Sequence, residues 1–508
     1  MDEEREVIII GSGMGGLGAA AILSQGGLKP LVLEHHFIAG GNAQTFRRRK
    51  MFDFDVGFHY IGDCGPGGMF PGLLKRIGIG DEIEFLPMDP DGFDTLIFPD
   101  LTFRMPAGWE RYRQRLHDAF PAERRAIDRY IDFAKHAAAS RGESGEQPEV
   151  SRRLAKPMAD WTLAEVFDVL ECSGRLRAVL ASLSGTYGAP PSKASAMMRA
   201  FLQEHYLRSG GYFIRGGGRS LVEAMVRAVE KGGGEVRLRS RVRKVLVEDG
   251  KAVGVELANG QVLRSRLVIS NADAKRTLLE MVGVEHLSPQ TVEKAERARM
   301  ALPLFVTYIA MKRDPMELGI PNTNYGLSSS YDVEEAYAQC YAGEIPESPG
   351  VGMIIASRKD PQSRNIAPPG YTNLQLMTIA PASLRTWGVD KSPAEGGRYR
   401  HTVEYEIAKK LLEERMLAQV ERMMPGFIRD VVWKESATPL TQERFTLSTG
   451  GTSYGLEHSP DQFRGGRFAP QTEVDGLYLV GASGMFGHGI TGSMVSGVAT
   501  AGSILAGR

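Results

Sequence analysis

An α/β fold, with a parallel sheet at its centre and a mixed α+β domain inserted into it, is predicted by three features of this 508-residue chain. The run Val7 to Ile10 is wholly apolar, as a strand buried on both faces of a parallel sheet must be. It passes through Gly11-Ser12-Gly13-Met14-Gly15-Gly16 into a helix of small residues, Leu17 to Leu23, and then into a second apolar run, Pro30 to Leu33. The far end of the chain agrees. Gly476 to Val480 reads as another buried strand, which ends in Gly481-Ala482-Ser483. Gly487-His488-Gly489-Ile490-Thr491-Gly492 then opens a final helix, Ser493 to Ala506.

Each glycine of the first turn has a physical task. Gly11 permits the tight turn, Gly13 lets the backbone approach a pyrophosphate, and Gly16 lets helix and strand pack closely. The helix N-terminus that follows offers unpaired N–H groups and partial positive charge to phosphate. The second strand ends in Glu34, 23 positions after Gly11, where a carboxylate accepts hydrogen bonds from ribose hydroxyls. Strand, glycine turn, helix, strand and acid in that order predict a dinucleotide site.

The length allows about three domain-sized units. With 42% hydrophobic and 24% charged residues the composition is that of an ordinary globular protein with ample core. Basic and acidic residues balance at 61 each, which argues against a nucleic-acid partner. Arg47-Arg48-Arg49-Lys50 is the one compact basic run, read as a solvated hairpin face or a helper to phosphates. Cys64, Cys172 and Cys340 are far apart, which excludes a disulfide scaffold or zinc ribbon and fits a reducing compartment. The acidic N-terminus is the opposite of a signal peptide, and Val7 to Leu23 belongs to the nucleotide fold rather than to a spanning helix, so the expected location is cytoplasmic with room for membrane contact.

The nucleotide domain is expected in three pieces, 1–62, 215–299 and 470–508. Its middle piece holds a helix, Leu221 to Lys231, and strands at Glu235–Leu238, Val242–Val247, Ala252–Leu257 and Leu267–Ile269. Asp249-Gly250 and Asn259-Gly260 are hairpin signals that make this stretch a β-meander. Segments 63–214 and 300–469 are expected to form a substrate domain. The first is largely helical (110–117, 122–139, 163–183), with an exposed loop at 140–151; the second mixes strands (305–310, 352–356, 373–379) with one long helix, 399–423. No second strand–glycine–helix fingerprint is visible: Gly350-Val351-Gly352 lacks a third glycine and Gly216 to Gly218 follows no clear strand.

The Gly40-Gly41-Asn42 turn just past Glu34 resembles the second phosphate-contacting turn of FAD enzymes of the glutathione-reductase-like type. The C-terminal strand and helix are similar to the flavin motif of the amine oxidase and phytoene desaturase superfamily. Blocks 53–62 (DFDVGFHYIG), 186–188, 210–212, 321–325 and 436–441 resemble the branch containing retinol saturase, carotenoid isomerase and bacterial phytoene desaturases. The resemblance implies a glutathione-reductase-like FAD-binding Rossmann domain with a β-meander, plus an inserted mixed α+β substrate domain. It implies FAD held by Gly11, Ser12, Gly13, Met14, Gly15, Gly16, Glu34, His35, Gly41, Asn42, Val242, Gly481, Ala482, Ser483, Ile490 and Thr491. The arginine usual after the Gly-Gly pair in amine oxidases is Asn42 here, which leaves Arg47 as a candidate to neutralise the phosphates. The acidic ribityl contact common in the C-terminal motif is replaced by Gly481-Ala482-Ser483.

The implied activity is oxidoreduction or isomerisation at carbon–carbon bonds of a hydrophobic polyene such as a carotenoid or retinoid. Electrons would be exchanged with a quinone, oxygen or another carrier. A flavin amine oxidase is the alternative enzyme, and a GDP-dissociation-inhibitor-like lipid-binding protein the non-enzymatic one. His59 is the candidate acid or base, because an imidazole titrates near working pH, and it reads equally as a core histidine. His488 is the second candidate, or a filler of a glycine-rich turn. Asp53 and Asp55 are expected either to orient a proton carrier or to be turn residues. Met197, Met198, Phe201, Tyr206, Tyr212 and Phe213 are expected to line an apolar tunnel or to pack in the core.

Overall fold

The computed structural model describes residues 3–139, 160–182, 184–485 and 487–507. The loop expected at 140–151 lies outside them. Strands β1 (Val7–Ile10), β2 (Pro30–Leu33), β3 (Glu235–Arg237), β4 (Val268–Ser270) and β5 (Leu477–Leu479) form a sheet in the order 3-2-1-4-5, every pair parallel. This is the strand order of doubly wound dinucleotide folds. All four residues of β1 are buried, and each such aliphatic side chain contributes about 1.5–3 kcal/mol when removed from water.

Helix α1 (Met14–Gln25) and helix α2 (Gly489–Ala506) pack against each other on one face of this sheet. The contact is backbone on backbone: a Cβ on Gly497 would overlap the Gly15 carbonyl, and one on Gly18 would stand 3.3 Å from Met494 O. α2 is long and apolar enough to cross a membrane by composition, yet its buried face is taken up by α1.

The β-meander is smaller than expected. Residues 242–248, 251–257 and 262–264 form it, and the first and last of the expected strands are instead β3 and β4 of the parallel sheet. The continuous apolarity of Val268-Ile269 signals that two-sided burial, whereas strand 242–248 of the meander mixes buried with exposed residues. Tyr212–Ile214 is a strand that directly precedes the Gly216–Gly218 turn, so that turn does follow a strand. It lies outside the parallel sheet, and Asp55 fills the space beneath it by accepting from Gly218 N at 2.9 Å.

A seven-stranded mixed sheet is assembled in the order 431–437, 304–311, 372–379, 351–354, 324–327, 94–98, 101–105. The hairpin 94–105 is absent from the helical expectation for the first insertion. Helices Trp109–Ala119 and Arg124–Ala139 match it. The helix expected at 163–183 is broken in two, Leu163–Val169 and Gly174–Leu180, by Glu171 at φ 57° and a new N-cap, Ser173. Helix Val403–Met423 covers one face of the large sheet, with Leu412, Met416 and Val420 in one core with Met353 and Leu376 of the strands it crosses. Alternate residues Leu304, Val306 and Tyr308 point to the other face.

Because the α1–α2 contact has no room for a side chain, Gly497→Val is expected to destabilise the fold by at least about 1–3 kcal/mol. Urea unfolding checks it: an unchanged midpoint would mean that the helices do not meet as described.

Candidate active site

A cavity of about 530 Å³ has both chain ends in its wall. Gly11, Gly13 and Met14 of the first turn face it, as do Ala482, Ser483 and Ile490 of the last, together with Glu34, His35, Gly41, Asn42, Val242 and His59. Gly11, at φ +89°, makes the tight turn that only glycine takes without strain. α1 and α2 both begin at this cavity, and neither has a side-chain N-cap or an acidic residue in its first turn. Their first N–H groups and their partial positive charge are therefore available to an anionic ligand.

Ser12, Gly15, Gly16, Gly481 and Thr491 do not reach the wall. Ser12 acts behind it: its Oγ donates to Glu34 Oε2 at 2.6 Å and accepts from Gly40 N at 3.1 Å, locking the two glycine turns to the acid. Glu34 also accepts from Ser12 N at 2.8 Å and from His36 N at 2.7 Å, so three of its roughly four lone-pair sites are taken and one is left for a ribose hydroxyl. Gly15, Gly16 and Gly481 are packing glycines: a Cβ on Gly15 would come within 2.8 Å of Gly481 Cα, and one on Gly16 would overlap Gly11 O.

Arg47 does not serve the phosphates. Its Nε pairs with Asp53 Oδ1 at 3.3 Å, on the hairpin of strands 45–48 and 52–55, away from the wall. The wall's cations are Arg241, Arg243 and Arg276. Asp53 and Asp55 lie on the second of those strands rather than in a turn, and neither bonds His59. Asp53 pairs with Arg47 and with Arg219 at 3.0 Å, and Asp55 accepts from Thr45 Oγ1 and Gly218 N.

His59 is on the wall, and its Nδ1 is buried without a hydrogen-bond partner. Burial, then the charge of Lys359, pushes its pKa down to about 3. It is thus a neutral hydrogen-bonding group near pH 7, and the expectation that it titrates there is overturned. Behind it Lys359, itself buried, donates from Nζ to His59 O at 2.5 Å. Burial lowers the Lys359 pKa to about 7, against the raising effect of Asp94 and Asp55. Asp94, pushed up to about 6 by burial, accepts from Tyr60 Oη and Asn324 Nδ2, both at 2.9 Å, and Tyr60 stacks on Tyr206.

His488 N-caps α2 by position, and its ring bonds His458 Nε2 and Thr186 O, so it ties the helix start to the first insertion. Burial, then Arg467, pushes its pKa down to about 4. The six residues considered for a tunnel do not line the cavity: Tyr206 joins the core of the helical insertion, Met198 that around Tyr187, Phe213 that of the nucleotide domain, and Phe201 packs on Phe463. Lys359 and Arg467 were not found from sequence. The available signal was a basic residue next to apolar or small ones, Arg358-Lys359 after Ile354-Ile355-Ala356-Ser357 and Arg467 in Gly465-Gly466-Arg467-Phe468.

The family described as flavin containing amine oxidoreductase matches residues 14–373. The chain belongs to that family. As a member of it the chain takes FAD as cofactor. The donor set fits: two open helix starts, a Cβ-free edge at Gly11, Gly13 and Gly41, and an acid with one acceptor site to spare. The chain is 27% identical to an all-trans-retinol 13,14-reductase of Danio rerio, over 100% of this chain and 86% of the relative. It is 26% identical to a chloroplastic prolycopene isomerase of Daucus carota, over 97% and 79%. Cyclohexylamine oxidase of Brevibacterium oxydans shares its fold with a TM-score of 0.65 at 17% identity, over 99% of both chains.

Lys359 loses its proton in the folded chain near pH 7 but only near 10.5 when unfolded. Between those values the unfolded chain binds the extra proton, so this residue makes stability rise with pH from about 7 to 10.5. In Lys359→Met that rise is expected to vanish. Urea midpoints measured across this window for both proteins decide it, and parallel curves would refute the burial of a strained ammonium.

Proposed function

We propose that the protein is an FAD-dependent oxidoreductase acting on carbon–carbon bonds of a hydrophobic polyene, a retinoid or carotenoid, by saturation, desaturation or cis–trans isomerisation. The observation that carries this reading is the cavity wall contributed by the seven-stranded sheet. Leu304, Val306, Tyr308 and Ala437 present a largely apolar surface there, with no carboxylate among these residues to hold an amine cation. The end-to-end likeness to proteins named as a retinol reductase and a prolycopene isomerase supports the same substrate class.

When bound, FAD supplies hydride exchange with a substrate carbon. The chain supplies placement. The α1 start, Glu34 and Val242 hold the nucleotide, while the α2 start, Ala482 and Ser483 meet the ring-bearing end. The sheet residues position the polyene and exclude water, which shields a delocalised allylic charge from capture. His59 works as a neutral hydrogen-bond partner at the wall.

The reading also assigns residues 1–62, 215–299 and 470–508 to a glutathione-reductase-like FAD domain, and 63–214 with 300–469 to a substrate domain. The joint assembly of the large sheet from both insertions supports that division. A quinone or oxygen is the proposed electron partner, and the proposed setting is cytoplasmic, with peripheral membrane contact.

All-trans-retinol or a carotenoid, added anaerobically to the reduced and, separately, to the oxidised protein, is expected to reoxidise the reduced flavin, to reduce the oxidised flavin, or to emerge as a geometric isomer on chromatography. Putrescine and cyclohexylamine are expected to leave the oxidised flavin unreduced. Val306→Asp should raise KM for the polyene at least about tenfold with flavin content unchanged, since a carboxylate on that wall would have to be desolvated by the substrate. Reduction by amines with no response to any polyene would replace this reading with an amine oxidase.

A further inference from the structure

Arg467 precedes the last strand of the parallel sheet, and only 2% of the residue is exposed. Its guanidinium is held entirely by main-chain carbonyls: Nε donates to Gly484 O at 2.7 Å, Nη1 to Gln462 O at 3.2 Å, and Nη2 to Ala482 O. Among the described residues no carboxylate pairs with it. The carbonyls satisfy its donors without cancelling its charge. An ion buried this way costs several kcal/mol against a neutral residue, so the arrangement is a poor device for stability alone.

Its surroundings direct that charge toward the cavity. Ala482, one of its acceptors, is on the wall, and so is Ser483 between the two carbonyls it grips. The start of α2 beside this loop has no capping side chain and no acid in its first turn. The two histidines of this corner add no charge, because burial and the field of Arg467 keep both His458 and His488 below the ordinary histidine range. Arg467 keeps its proton: burial lowers its pKa only to about 10.

We propose that Arg467 is a positioning residue that raises the electron affinity of the bound flavin, by fixing the Ala482–Gly484 turn and by presenting an uncompensated positive charge, in line with the α2 start, to the part of the ring system that becomes negative on two-electron reduction. The inference rests on the reading that the cavity holds FAD with its ring system at this turn. Its consequence is directional: removal of hydride from the substrate is favoured relative to delivery.

The test uses the FAD-loaded full chain with Arg467→Gln, which keeps amide donors for the carbonyls but loses the charge, and Arg467→Lys, which keeps the charge but loses the fork. Sulfite, whose capture by oxidised flavin leaves negative charge on the ring, is titrated by loss of flavin absorbance, and midpoint potentials are read against redox dyes. The Gln variant should bind sulfite at least tenfold more weakly and fall by about 30 mV or more, the equivalent of tenfold for a two-electron couple. The Lys variant should stay within about threefold of the parent, a tolerance of roughly 14 mV on the same scale. A Gln variant that holds FAD stoichiometrically with both values unchanged overturns the inference. If that variant loses its flavin, the parent decides: no sulfite uptake at millimolar concentration overturns it, and uptake matched by the Lys variant upholds it. A colourless parent that FAD cannot restore would instead overturn the reading of the cavity.

Discussion

The contact between α1 and α2 is the constraint on which the site depends. Two helices that begin at opposite ends of the chain bring their uncapped N-termini to one cavity only because Gly18 and Gly497 let the backbones touch. An acid or a serine cap at either start would satisfy the N–H groups and remove the reason for an anion to bind there. The same glycines that weaken the helices by propensity, about 1 kcal/mol each relative to alanine, are what make the two dipoles converge. Local stability is given up for geometry.

Around this centre, polar contacts divide into those that fix the nucleotide end and those that lie behind the reacting end. Ser12, Glu34 and the Gly40 amide form a closed set in which each buried group has a partner. The group behind His59 is different. Lys359 lies between Asp94 and Asp55 without reaching either as an ion pair, and burial moves all three pKa values toward neutrality. Charges that are buried but not closely paired are costly, and such costs concentrate at functional sites. Their place against the backbone of a wall residue fits that pattern.

The parallel sheet and its first turn were legible in the sequence because their signals are local and mutually consistent: an unbroken apolar strand, a glycine turn, and an acid one strand later. The assignment of 235–237 and 268–270 was not, because a short apolar strand looks the same in a meander and in a parallel sheet until its neighbours are known. The break after Val169 was hidden for the opposite reason: apolar residues recur at helical intervals on both sides of it, from Leu163 to Leu170 and from Leu176 to Leu180, and the turn between them is set by one left-handed residue, Glu171. At the site, the cofactor wall could be read from motif spacing. The state of His59 could not, since it depends on burial and on Lys359, 300 residues away.

Taken together, these features give the cavity two chemically distinct sides. Cations and open helix starts lie on the side built by the parallel sheet and the meander, and aliphatic and aromatic side chains lie on the side built by the seven-stranded sheet. FAD, whose diphosphate joins an adenosine to the flavin, would set its nucleotide half against the first side and turn its flavin ring toward the second. What remains exposed to the ring is an apolar wall. A substrate drawn there gains by leaving water, at about 25 cal/mol for each Å² buried, and needs no charge to be held. An extended hydrocarbon meets that condition better than an ammonium ion does, whose desolvation rings such as that of Tyr308, with no carboxylate among Leu304, Val306, Tyr308 and Ala437, would offset only in part.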